Sequence, residues 1–457
     1  MNLSIVGLGK LGSPLAAVMA DRGHTVVGVD VNPRYVTAIN QGRAPVKEPG
    51  LAEMIEKNRA RLSATMSYDE AIAATEATFI IVPTPSAAGG RFSLRYVLEA
   101  AEKIGAALRN KPEFHLVVLS STVMPGSVDA ELAPALESAS GKTCGRDFGL
   151  CYNPEFIALG SVIRDLLNPD MILIGESDSR SGDILQSLYE HLCESHPRIN
   201  RMNCVNAELA KLSVNTFVTT KISYANMLAQ VCETLPGADV DVVTAAIGCD
   251  GRIGRKYLRG ALGYGGPCFP RDNVAFAALA RENGVPALLA EATDQLNRNQ
   301  VPRLREIVLA RLPEHGTAGI LGLSYKPDTE VVEESQGLVL AQRLLEDGVR
   351  VVVYDPAAME SARPQLGAGV VFAESASECV RQADVLAIMT PWPEFRDISP
   401  ADLKSSPVKP AVLDCWRLLQ RSTFEPVADY LTLGLGPRPV REPVASEGRA
   451  LAESVVD

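Results

Sequence analysis

The first thirty residues predict one βαβ unit from their pattern of apolar and polar positions. The segment MNLSIVGLGKLGSPLAAVMADRGHTVVGVD begins with an apolar strand, turns through glycines into a helix with apolar residues at helical spacing, and returns to a strand ending at Asp30. Further apolar runs predict strands at 77–85, 114–122, 148–156 and 171–176, with helical patterns between most of them. Strands that alternate with helices indicate a parallel, doubly wound sheet.

A second α/β plan follows a long helical stretch. Residues 206–234, NAELAKLSVNTFVTTKISYANMLAQVCET, contain no proline or glycine and predict one long helix that joins two lobes. From Gly316 the opening plan recurs, with a strand, a turn at Gly322, a helical stretch and a second strand that ends at Asp355. We therefore predict an α/β fold with two Rossmann-like, doubly wound parallel-sheet domains joined by a long central helix.

These patterns divide the chain into four predicted parts. Residues 1–200 form the first Rossmann domain, 201–305 a central helical region, and 306–436 the second Rossmann-like domain. Residues 437–457 are rich in Pro, Glu, Ser and Ala, so we expect this tail to be poorly ordered.

The glycine turn of the first unit has the spacing of a dinucleotide-binding fingerprint. Gly7, Gly9 and Gly12 follow a strand and open a helix, which allows a pyrophosphate to approach the helix N-terminus. Asp30, at the end of the next strand, can accept hydrogen bonds from a ribose diol and would repel the 2'-phosphate of NADP. The alternative is a merely structural turn, but the combination predicts NAD binding.

Composition and charge narrow the class of protein. The chain has 457 residues, of which 46% are apolar and 22% charged, and its net charge of −11 argues against nucleic-acid binding. No apolar run approaches the roughly 18 residues of a membrane span and no secretory leader is recognisable, so we expect a cytoplasmic protein with no membrane partner. The nine cysteines form no C-x-x-C pair, which favours reduced thiols and predicts no metal site.

Three polar residues share one face of the predicted long helix. Glu208, Lys211 and Asn215 lie at positions i, i+3 and i+7. They are either a surface Glu-Lys pair with a neighbour, or a cation and an amide directed at a developing oxyanion. Lys326, just past the Gly322 turn, likewise has two interpretations: an exposed loop lysine or a phosphate ligand.

The segment DGRIGRKYLRGALGYGGPCFPRD, residues 250–272, concentrates basic residues around one cysteine. Its cations suit a diphosphate, although a solvated basic face remains an alternative; they are Arg252, Arg255, Lys256, Arg259 and Arg271. Cys268 is either a buried small hydrophobe, as most cysteines are, or a nucleophile in a polar setting between glycines and charged residues.

Several motifs together resemble the UDP-glucose/GDP-mannose dehydrogenase family. In chain order they are GLGKLG (7–12), PVKEPGL (45–51), VPTP (82–85), SSTVMPGS (120–127), NPEF (153–156), AELAKLSVN (207–215), GCDGRIG (248–254), GYGGPCFPRD (263–272) and GLSYKPDT (322–329). The resemblance extends to about residue 420. It implies a four-electron oxidation of a nucleotide-sugar C6 alcohol to a carboxylate with two NAD, for which UDP-glucose is the first expectation.

The resemblance also implies roles for single residues. Cys268 would form a thiohemiacetal and then a thioester; Lys211 and Asn215 would stabilise the oxyanion; Asp272, Thr122 and Glu155 would work with the hydrolytic water. The implied cofactor contacts are Gly7, Gly9, Leu11, Gly12, Asp30, Thr84 and Thr122. The implied substrate contacts are Glu155, Phe156, Lys211, Asn215, Arg252, Arg259, Tyr264, Gly265 and Lys326. Arg252 matches an arginine that reaches substrate in a neighbouring subunit, which implies a homodimer or larger homo-oligomer.

The chain departs from the family pattern at several substrate-side positions. Leu159 stands where a second glutamate follows NPEF in relatives, and Glu333 replaces an arginine near the expected nucleotide site. Arg271 replaces a lysine, and the setting of Arg417 is changed by its neighbours. The sugar is therefore less well determined than the reaction.

Rival functions remain at this stage. A GDP-mannose or UDP-N-acetylhexosamine 6-dehydrogenase shares the same motifs. A two-electron hydroxyacid dehydrogenase would need neither Cys268 nor the third region, and a non-catalytic nucleotide-sugar binder would need no catalytic set.

Overall fold

Two sheets flanked by helices form the framework of the protein. The computed structural model describes residues 1–405 and 407–438, and these residues divide into two compact units. Unit 1 comprises Met1–Asn215 and Arg271–Ala287. Unit 2 comprises Thr216–Pro270 and the described chain from Leu288 onward. Each unit contains one of the sheets.

The sheet of unit 1 has the strand order of a dinucleotide-binding domain. Its strands are β1 (Asn2–Val6), β2 (Thr25–Val29), β3 (Leu62–Thr65), β4 (Ala77–Ile80), β5 (His115–Leu119), β6 (Phe148–Tyr152), β7 (Met171–Glu176) and β8 (Arg198–Met202). They lie side by side in the order β3-β2-β1-β4-β5-β6-β7-β8. The order reverses direction next to β1, which creates the crevice where nucleotides bind in such sheets.

Helices cover both faces of this sheet. They are α1 (Gly12–Asp21), α2 (Pro33–Asn40), α3 (Leu51–Lys57), α4 (Tyr68–Ala74), α5 (Arg95–Leu108), α6 (Ala133–Ser140), α7 (Val162–Leu167) and α8 (Ser179–Leu192). One core cluster packs α1 against the sheet, and another packs α5 against the opposite face. Because both faces are covered, β4 and β5 are buried along their whole length and are apolar except at Thr78 and His115.

One strand pair differs from the predicted all-parallel sheet. β6 and β7 run antiparallel, through the pairs Cys151 with Glu176 and Tyr152 with Gly175, whereas β7 and β8 are parallel. The segment between β6 and β7 contains the short helix α7, which packs against α1. The chain therefore re-enters the sheet from the opposite end, and the prediction of a wholly parallel sheet is wrong at this pair.

Unit 2 repeats the doubly wound plan. Its strands are β9 (Thr317–Leu321), β10 (Arg350–Tyr354), β11 (Val370–Phe372), β12 (Val385–Ile388), β13 (Ala411–Asp414) and β14 (Asp429–Thr432), in the order β11-β10-β9-β12-β13-β14. All their pairings are parallel. The helices that begin within this sheet region are α14 (Gln336–Glu346), α15 (Met359–Leu366), α16 (Ala376–Gln382) and α17 (Arg421–Phe424).

The predicted long helix is present between the two sheets in the sequence. Helix α9 (Cys204–Thr234) begins two residues before the prediction and ends where predicted. The helices that follow are α10 (Val240–Gly248), α11 (Phe269–Glu282), α12 (Leu288–Arg298) and α13 (Gln300–Leu309). Two Rossmann-like α/β domains with a long central helix are thus confirmed as the fold.

Three further observations bear on the composition-based expectations. Within the described residues, no helix is both long and apolar enough to cross a membrane. None of the nine cysteines, all of which lie in described segments, forms a disulfide. The predicted poorly ordered tail, apart from Pro437 and Arg438, falls outside the described residues.

Candidate functional site

The glycine turn after β1 is built so tightly that two of its residues must be glycine. Gly7 has a φ of +96°, and a Cβ atom there would overlap the Ile81 carbonyl oxygen. A Cβ atom on Gly12, the first residue of α1, would overlap the carbonyl oxygen of Gly7. Gly9 differs, because no heavy atom lies within 4 Å of where its Cβ would be. Its backbone therefore faces open space at the crevice, as close approach of a pyrophosphate requires.

Asp30 is held at the carboxyl end of β2 beside this turn. Its two carboxylate oxygens accept hydrogen bonds from the backbone N–H groups of Leu8, at 2.6 Å, and Asn32, at 2.7 Å. The residue is only half-buried, so the carboxylate retains acceptor capacity toward a ribose. Leu11 precedes α1 and packs against the core, which fixes the start of the helix.

Two loops beyond the neighbouring strands complete the cofactor side of unit 1. The Thr84 hydroxyl, after β4, donates a hydrogen bond to the Thr122 carbonyl, after β5, at 2.7 Å. Ser121 ties the same loops together by donating to the carbonyl of Val82 and accepting from its N–H group. The predicted cofactor residues thus lie at the carboxyl edge of β1, β2, β4 and β5, and this arrangement fits NAD.

We expect Gly9→Ala to weaken NAD binding without disturbing the fold. The new methyl group enters open space, so the melting temperature should stay within about 2 °C, but it occupies the surface that a pyrophosphate must approach. The dissociation constant for NAD, measured by calorimetry, should rise about tenfold or more. Gly251→Ala is the matched control, because its Cβ also meets no atom within 4 Å. Equal NAD affinity in the two variants would contradict this placement of the cofactor.

Lys211 and Glu155 meet within unit 1. The Lys211 amino group, on α9, donates a hydrogen bond to the backbone carbonyl of Glu155 and lies 4.5 Å from the centre of the Phe156 ring. Lys211 is only 7% exposed. A cation in so dry a place acts on nearby charges far more strongly than one in water.

Asn215 and Asp272 form a second contact between predicted catalytic residues of unit 1. The Asn215 amide donates to an Asp272 carboxylate oxygen at 2.6 Å, and the Arg271 guanidinium lies 3.3 Å from the other oxygen. Arg271 also donates to the Thr84 carbonyl at 3.1 Å and stacks over the Phe92 ring. Asp272 is fully buried, so these bonds hold its carboxylate in one orientation next to the cofactor loops.

Glu155 has an environment suited to proton transfer near neutral pH. Burial raises the pKa of its carboxyl group to about 7, an effect that the charge of Lys211 and the hydroxyl of Tyr189 partly oppose. Its Oε1 atom is buried and has no hydrogen-bond partner among the described residues. An acceptor left open in this way can take a hydrogen bond from a ligand or a water molecule.

Glu208 does not belong to a surface pair. It is fully buried and accepts hydrogen bonds from the N–H groups of Gly126, at 2.6 Å, and Val128, at 2.9 Å. Burial raises the pKa of Glu208 to about 7, against the effect of these two donors. The surface Glu-Lys alternative is therefore wrong, and Glu208 anchors the loop that follows Thr122, a role the sequence did not reveal.

Cys268 is an exposed thiol at the start of a helix in unit 2. It directly precedes α11, whose first residue is Phe269, and it is one of two exposed cysteines in the chain, with Cys249. The alternative of a buried apolar filler is therefore wrong. The unbonded N–H groups at a helix N-terminus favour negative charge, so an oxyanion or thiolate is stabilised there.

The glycines before Cys268 are required by the packing of the protein itself. A Cβ atom on Gly265 would overlap the Glu334 carbonyl, and one on Gly266, whose φ is +82°, would lie 2.6 Å from the Tyr325 ring. The Gly266 N–H group donates to the Glu333 carbonyl at 3.0 Å. This close approach brings Tyr325 to the thiol, and the charge of Cys268 adds to the effect of burial that raises the Tyr325 pKa.

Aromatic residues surround the cysteine segment. The Tyr264 and Tyr257 rings both pack edge-to-face against Phe269, with centroids 6.4 and 6.1 Å away. Tyr264 is fixed through its backbone by Asn297, at 2.8 and 3.0 Å. The Tyr264 hydroxyl is buried and has no hydrogen-bond partner within the described ranges, so it can bond to a ligand. Sequence reasoning named Tyr264 but missed Tyr257 and Tyr325.

The basic residues of the 250–272 segment have separate surroundings. Arg252 is exposed and its guanidinium pairs with Asp250 at 2.6 Å. Arg259 donates to the Trp416 carbonyl at 3.3 Å, and burial lowers its pKa. Arg271 belongs to unit 1. The predicted cations therefore do not all form one cluster within a single unit.

Two further basic residues belong to unit 2. Lys326 lies near the Tyr325 ring, with its amino group 6.0 Å from the ring centre. Arg417 bonds to Asp241 and to the carbonyls of Gly260 and Leu433, which gives this residue a structural role.

The second sheet lacks the partly exposed carboxylate that Asp30 provides at the edge of the first sheet. Asp355 stands at the end of β10, as Asp30 stands at the end of β2, but it is 1% exposed. Its carboxylate accepts from the backbone of Leu323, Ser324, Ala357 and Ala358 and from the Trp392 indole. With its oxygens saturated by the protein, Asp355 cannot serve as a ribose ligand, so any nucleotide held by this sheet is recognised differently.

The sequence predicted no metal site, and one feature of the structure bears on this prediction. Among the residues that the structure describes, no group of three or more His, Cys, Asp or Glu side chains is arranged to hold a metal ion.

Comparison with known proteins places the chain in one family over most of its length. Models of the UDP-glucose/GDP-mannose dehydrogenase family match residues 1–193 (NAD binding domain), 205–299 (central domain) and 319–421 (UDP binding domain). The UDP-glucose 6-dehydrogenase AglM of Haloferax volcanii is 39% identical over 399 residues, covering 86% of this chain and 92% of that protein. A GDP-mannose 6-dehydrogenase of Pseudomonas putida is 37% identical over 360 residues, covering 78% and 81%.

A solved structure agrees with these matches. The UDP-glucose dehydrogenase of Pyrobaculum islandicum superposes with a TM-score of 0.85 at 36% identity, covering 95% of this chain and 96% of that one. The NAD-binding turn, the two Rossmann-like sheets and the three family domains thus point to the same conclusion. The chain belongs to the UDP-glucose/GDP-mannose dehydrogenase family, the NAD-dependent nucleotide-sugar 6-dehydrogenases.

Proposed function

We propose that the protein oxidises UDP-glucose to UDP-glucuronate through a covalent intermediate on Cys268. The observation that carries the covalent route is the exposure of this thiol at the N-terminus of α11. The choice of UDP-glucose is supported by the 39% identity to the Haloferax enzyme and by the likeness to the Pyrobaculum structure.

The first oxidation needs an acceptor for the alcohol proton and an environment that tolerates a developing oxyanion. The edge formed by Gly9 and Asp30 would hold NAD, which would supply the hydride acceptor for the sugar C6, two per sugar. The buried Lys211 amino group and the Asn215 amide provide the positive charge and the N–H donor that stabilise the oxyanion. The C6 alcohol thereby becomes an aldehyde, with its proton released to a base.

The thiol allows the aldehyde to be oxidised a second time. The Cys268 sulfur adds to the aldehyde carbon and forms a C–S bond, and the oxyanion takes up a proton to give a thiohemiacetal. Loss of a second hydride and of the hydroxyl proton converts this species to a thioester.

Hydrolysis of the thioester requires an activated water. Glu155, with a pKa of about 7 and an open buried oxygen, can take the proton of this water at neutral pH. Asp272, oriented by Asn215 and Arg271, and Thr122 at the neighbouring loop are assigned to positioning the water. Attack by water forms a C–O bond and breaks the C–S bond; one proton of the water returns to the cysteine sulfur, and the other is released when the acid product ionises to the carboxylate.

A nucleotide-sugar panel tests the substrate. Purified protein should form NADH with UDP-glucose at a kcat/KM at least about tenfold above that with GDP-mannose or UDP-N-acetylhexosamines, and should yield two NADH per uronate. The second candidate, GDP-mannose, rests on the 37% identity to the Pseudomonas putida enzyme. Clear turnover of another sugar without turnover of UDP-glucose would replace the first choice, and one NADH per product would exclude the four-electron route.

The division of labour along the chain is part of the proposal. Residues 1–200 are assigned to NAD, 201–305 to the catalytic cysteine and dimerisation, and 306–436 to the nucleotide sugar, with Arg252, Arg259, Gly265 and Lys326 contacting the substrate. Nine thiols, two of them exposed, suit a reducing compartment, which agrees with a cytoplasmic enzyme.

We infer further that two copies of the chain associate through α9. Phe217, Tyr224, Met227 and Val231 repeat at intervals of seven, three and four residues, and each is between 40% and 65% exposed. This spacing places them on one stripe of the helix, and an exposed apolar stripe of this length favours burial against a second copy.

Replacing two residues of this stripe should separate the copies. Phe217→Glu with Met227→Glu places two charges on the apolar stripe, so the apparent mass by light scattering should fall to that of one chain at micromolar concentration. Val371→Glu is the matched control, since Val371 is 51% exposed on β11, away from α9. An unchanged mass in the double variant, or a monomeric wild type, would rule out this interface.

A further inference from the structure

A cleft lined by cations lies at the amino-terminal edge of the sheet in unit 1. It has a volume of about 520 Å³, and its charged residues are Arg109, Lys111, Lys142, Arg146, Asp147 and Arg180. They lie on the loops that lead into β5 and β6 and on the first turn of α8. NAD binds at the carboxyl edge of such sheets, so this basic cleft is at the opposite edge from the glycine turn.

Most cations of the basic cleft have no acidic partner. Asp147 pairs with Arg146 at 2.8 Å. Arg109, Lys142 and Arg180 form no ion pair with any carboxylate in the part of the chain that the structure describes. In a chain with a net charge of −11, acidic partners are abundant, so this local excess of positive charge is not a consequence of composition.

Helix electrostatics explain two of these cations but not the third. Arg109 and Lys142 follow the C-termini of α5 and α6, where cations are favourable, and they donate to the carbonyls of Ala139 and Lys111. Arg180 lies in the first turn of α8, where a cation is unfavourable. Its guanidinium stacks 3.7 Å above the centre of the Phe114 ring, which fixes its position and leaves its N–H edge for a ligand.

Lys111 makes the cleft rigid as well as basic. Its amino group donates to the carbonyls of Ile72, at 2.8 Å, and Thr75, at 2.6 Å. A cation held in this way contributes its charge to the cleft without losing side-chain entropy when a ligand binds. The cleft is therefore arranged for an anion before the anion arrives.

We propose that the basic cleft binds a small multivalent phosphate anion, at a site distinct from the cofactor crevice. Arg180 and Arg109 offer planar N–H edges that match phosphate oxygens, and Lys142 and Lys111 add point charges around them. A single carboxylate would neutralise only part of this charge, whereas a diphosphate or triphosphate neutralises most of it. The phosphate chain can belong to a nucleotide or be inorganic.

Calorimetric titration of the full-length protein tests the site. Inorganic tripolyphosphate and ATP are titrated separately into the wild type, the cleft variant and the control variant, with no other nucleotide present. Binding that persists in the cleft variant is assigned to the cofactor and substrate sites. The variant is Arg180→Ala with Lys142→Ala. The matched control is Arg61→Ala with Lys409→Ala, which removes two exposed cations that do not line the cleft.

We expect one tripolyphosphate per chain, with affinity at least about tenfold weaker in the cleft variant and within about twofold of wild type in the control. ATP binding more tightly than tripolyphosphate identifies a nucleotide as the ligand, and equal affinity identifies the phosphate chain alone. Absence of binding to wild type, or equal weakening in both double variants, overturns the proposal. If the double variant does not fold, Arg180→Gln provides the same comparison. This single change removes the guanidinium and its contact with the Phe114 ring.

Discussion

Replacement of Cys268 by Ala or Ser is expected to abolish formation of the uronic acid. Without the sulfur, the aldehyde has no covalent adduct from which a second hydride can leave, so kcat for the acid should fall by about 10⁴-fold or more. Cys268→Ala should release at most one NADH per sugar, where the wild type releases two. NADH absorbance combined with chromatography of the nucleotide sugars measures both quantities.

Cys249→Ala is the matched control for the thiol. Cys249 is the other exposed cysteine of unit 2, and its sulfur donates to the Ala245 carbonyl. This variant should keep the wild-type rate and the yield of two NADH. If Cys268→Ala still produced uronate at more than about one per cent of the wild-type rate, a nucleophilic role for Cys268 would be untenable. The first oxidation and the binding of nucleotide sugar would remain to be judged by the substrate panel.

Glu155→Gln is expected to lower the rate and to remove its dependence on pH near neutrality. In the wild type, a carboxyl with a pKa of about 7 is protonated below that pH, so the base is lost and thioester hydrolysis should slow as pH falls through 7. Gln cannot accept the proton at any pH, and kcat should fall by about 10²- to 10⁴-fold. Rates from pH 5.5 to 9 should show an acid limb in the wild type and none in the variant.

Glu208→Gln is the control that distinguishes the loss of a catalytic base from the loss of a buried carboxyl group. Glu208 is also buried and its pKa is also raised to about 7, but its carboxylate is engaged by the Gly126 and Val128 amides. A carboxyl whose folded pKa exceeds its unfolded value stabilises the protein below the unfolded pKa, and this stabilisation is lost as pH rises through about 7. Both variants should therefore flatten the fall in stability between pH 5 and 8, measured by urea unfolding. Only Glu155→Gln should flatten the rate profile, and the same loss in both variants would show that Glu155 has no separate chemical role.

The sequence predicted the parts of the fold that depend on local pattern. Residues 206–234 have no helix breaker, and α9 begins at Cys204 and ends at Thr234 as this pattern indicates. Strands without an apolar run were missed, because β8 reads RINRM and is only half-buried at an edge, and β11 has three residues. The reversal of β7 was also missed, because its apolar run MILIGE is the same whether the strand pairs in a parallel or an antiparallel direction.

In the candidate site, too, residues within short motifs were predicted, whereas residues whose partners are distant along the chain were not. Cys268 and Lys211 were identified because motifs around them are short and specific. The structural role of Glu208 was not identified from the sequence. Its hydrogen-bond donors are the backbone N–H groups of residues 126 and 128, and a backbone donor has no signature in the sequence. Tyr325 reaches the thiol through contact with Gly266, far away along the chain, so no spacing could have indicated it.

The two sheets share one packing contact at their first turn, although the loops above that contact differ in length. In both units a glycine at the start of the helix packs against the carbonyl of the glycine after the strand, Gly12 against Gly7 and Gly337 against Gly322. These partners are five positions apart in unit 1 and fifteen in unit 2, and the extra length includes Lys326 and Tyr325. The same strand-to-helix contact therefore accepts loops of different length above it, so the residues offered at this edge of a sheet can change while the strand and helix beneath keep their packing.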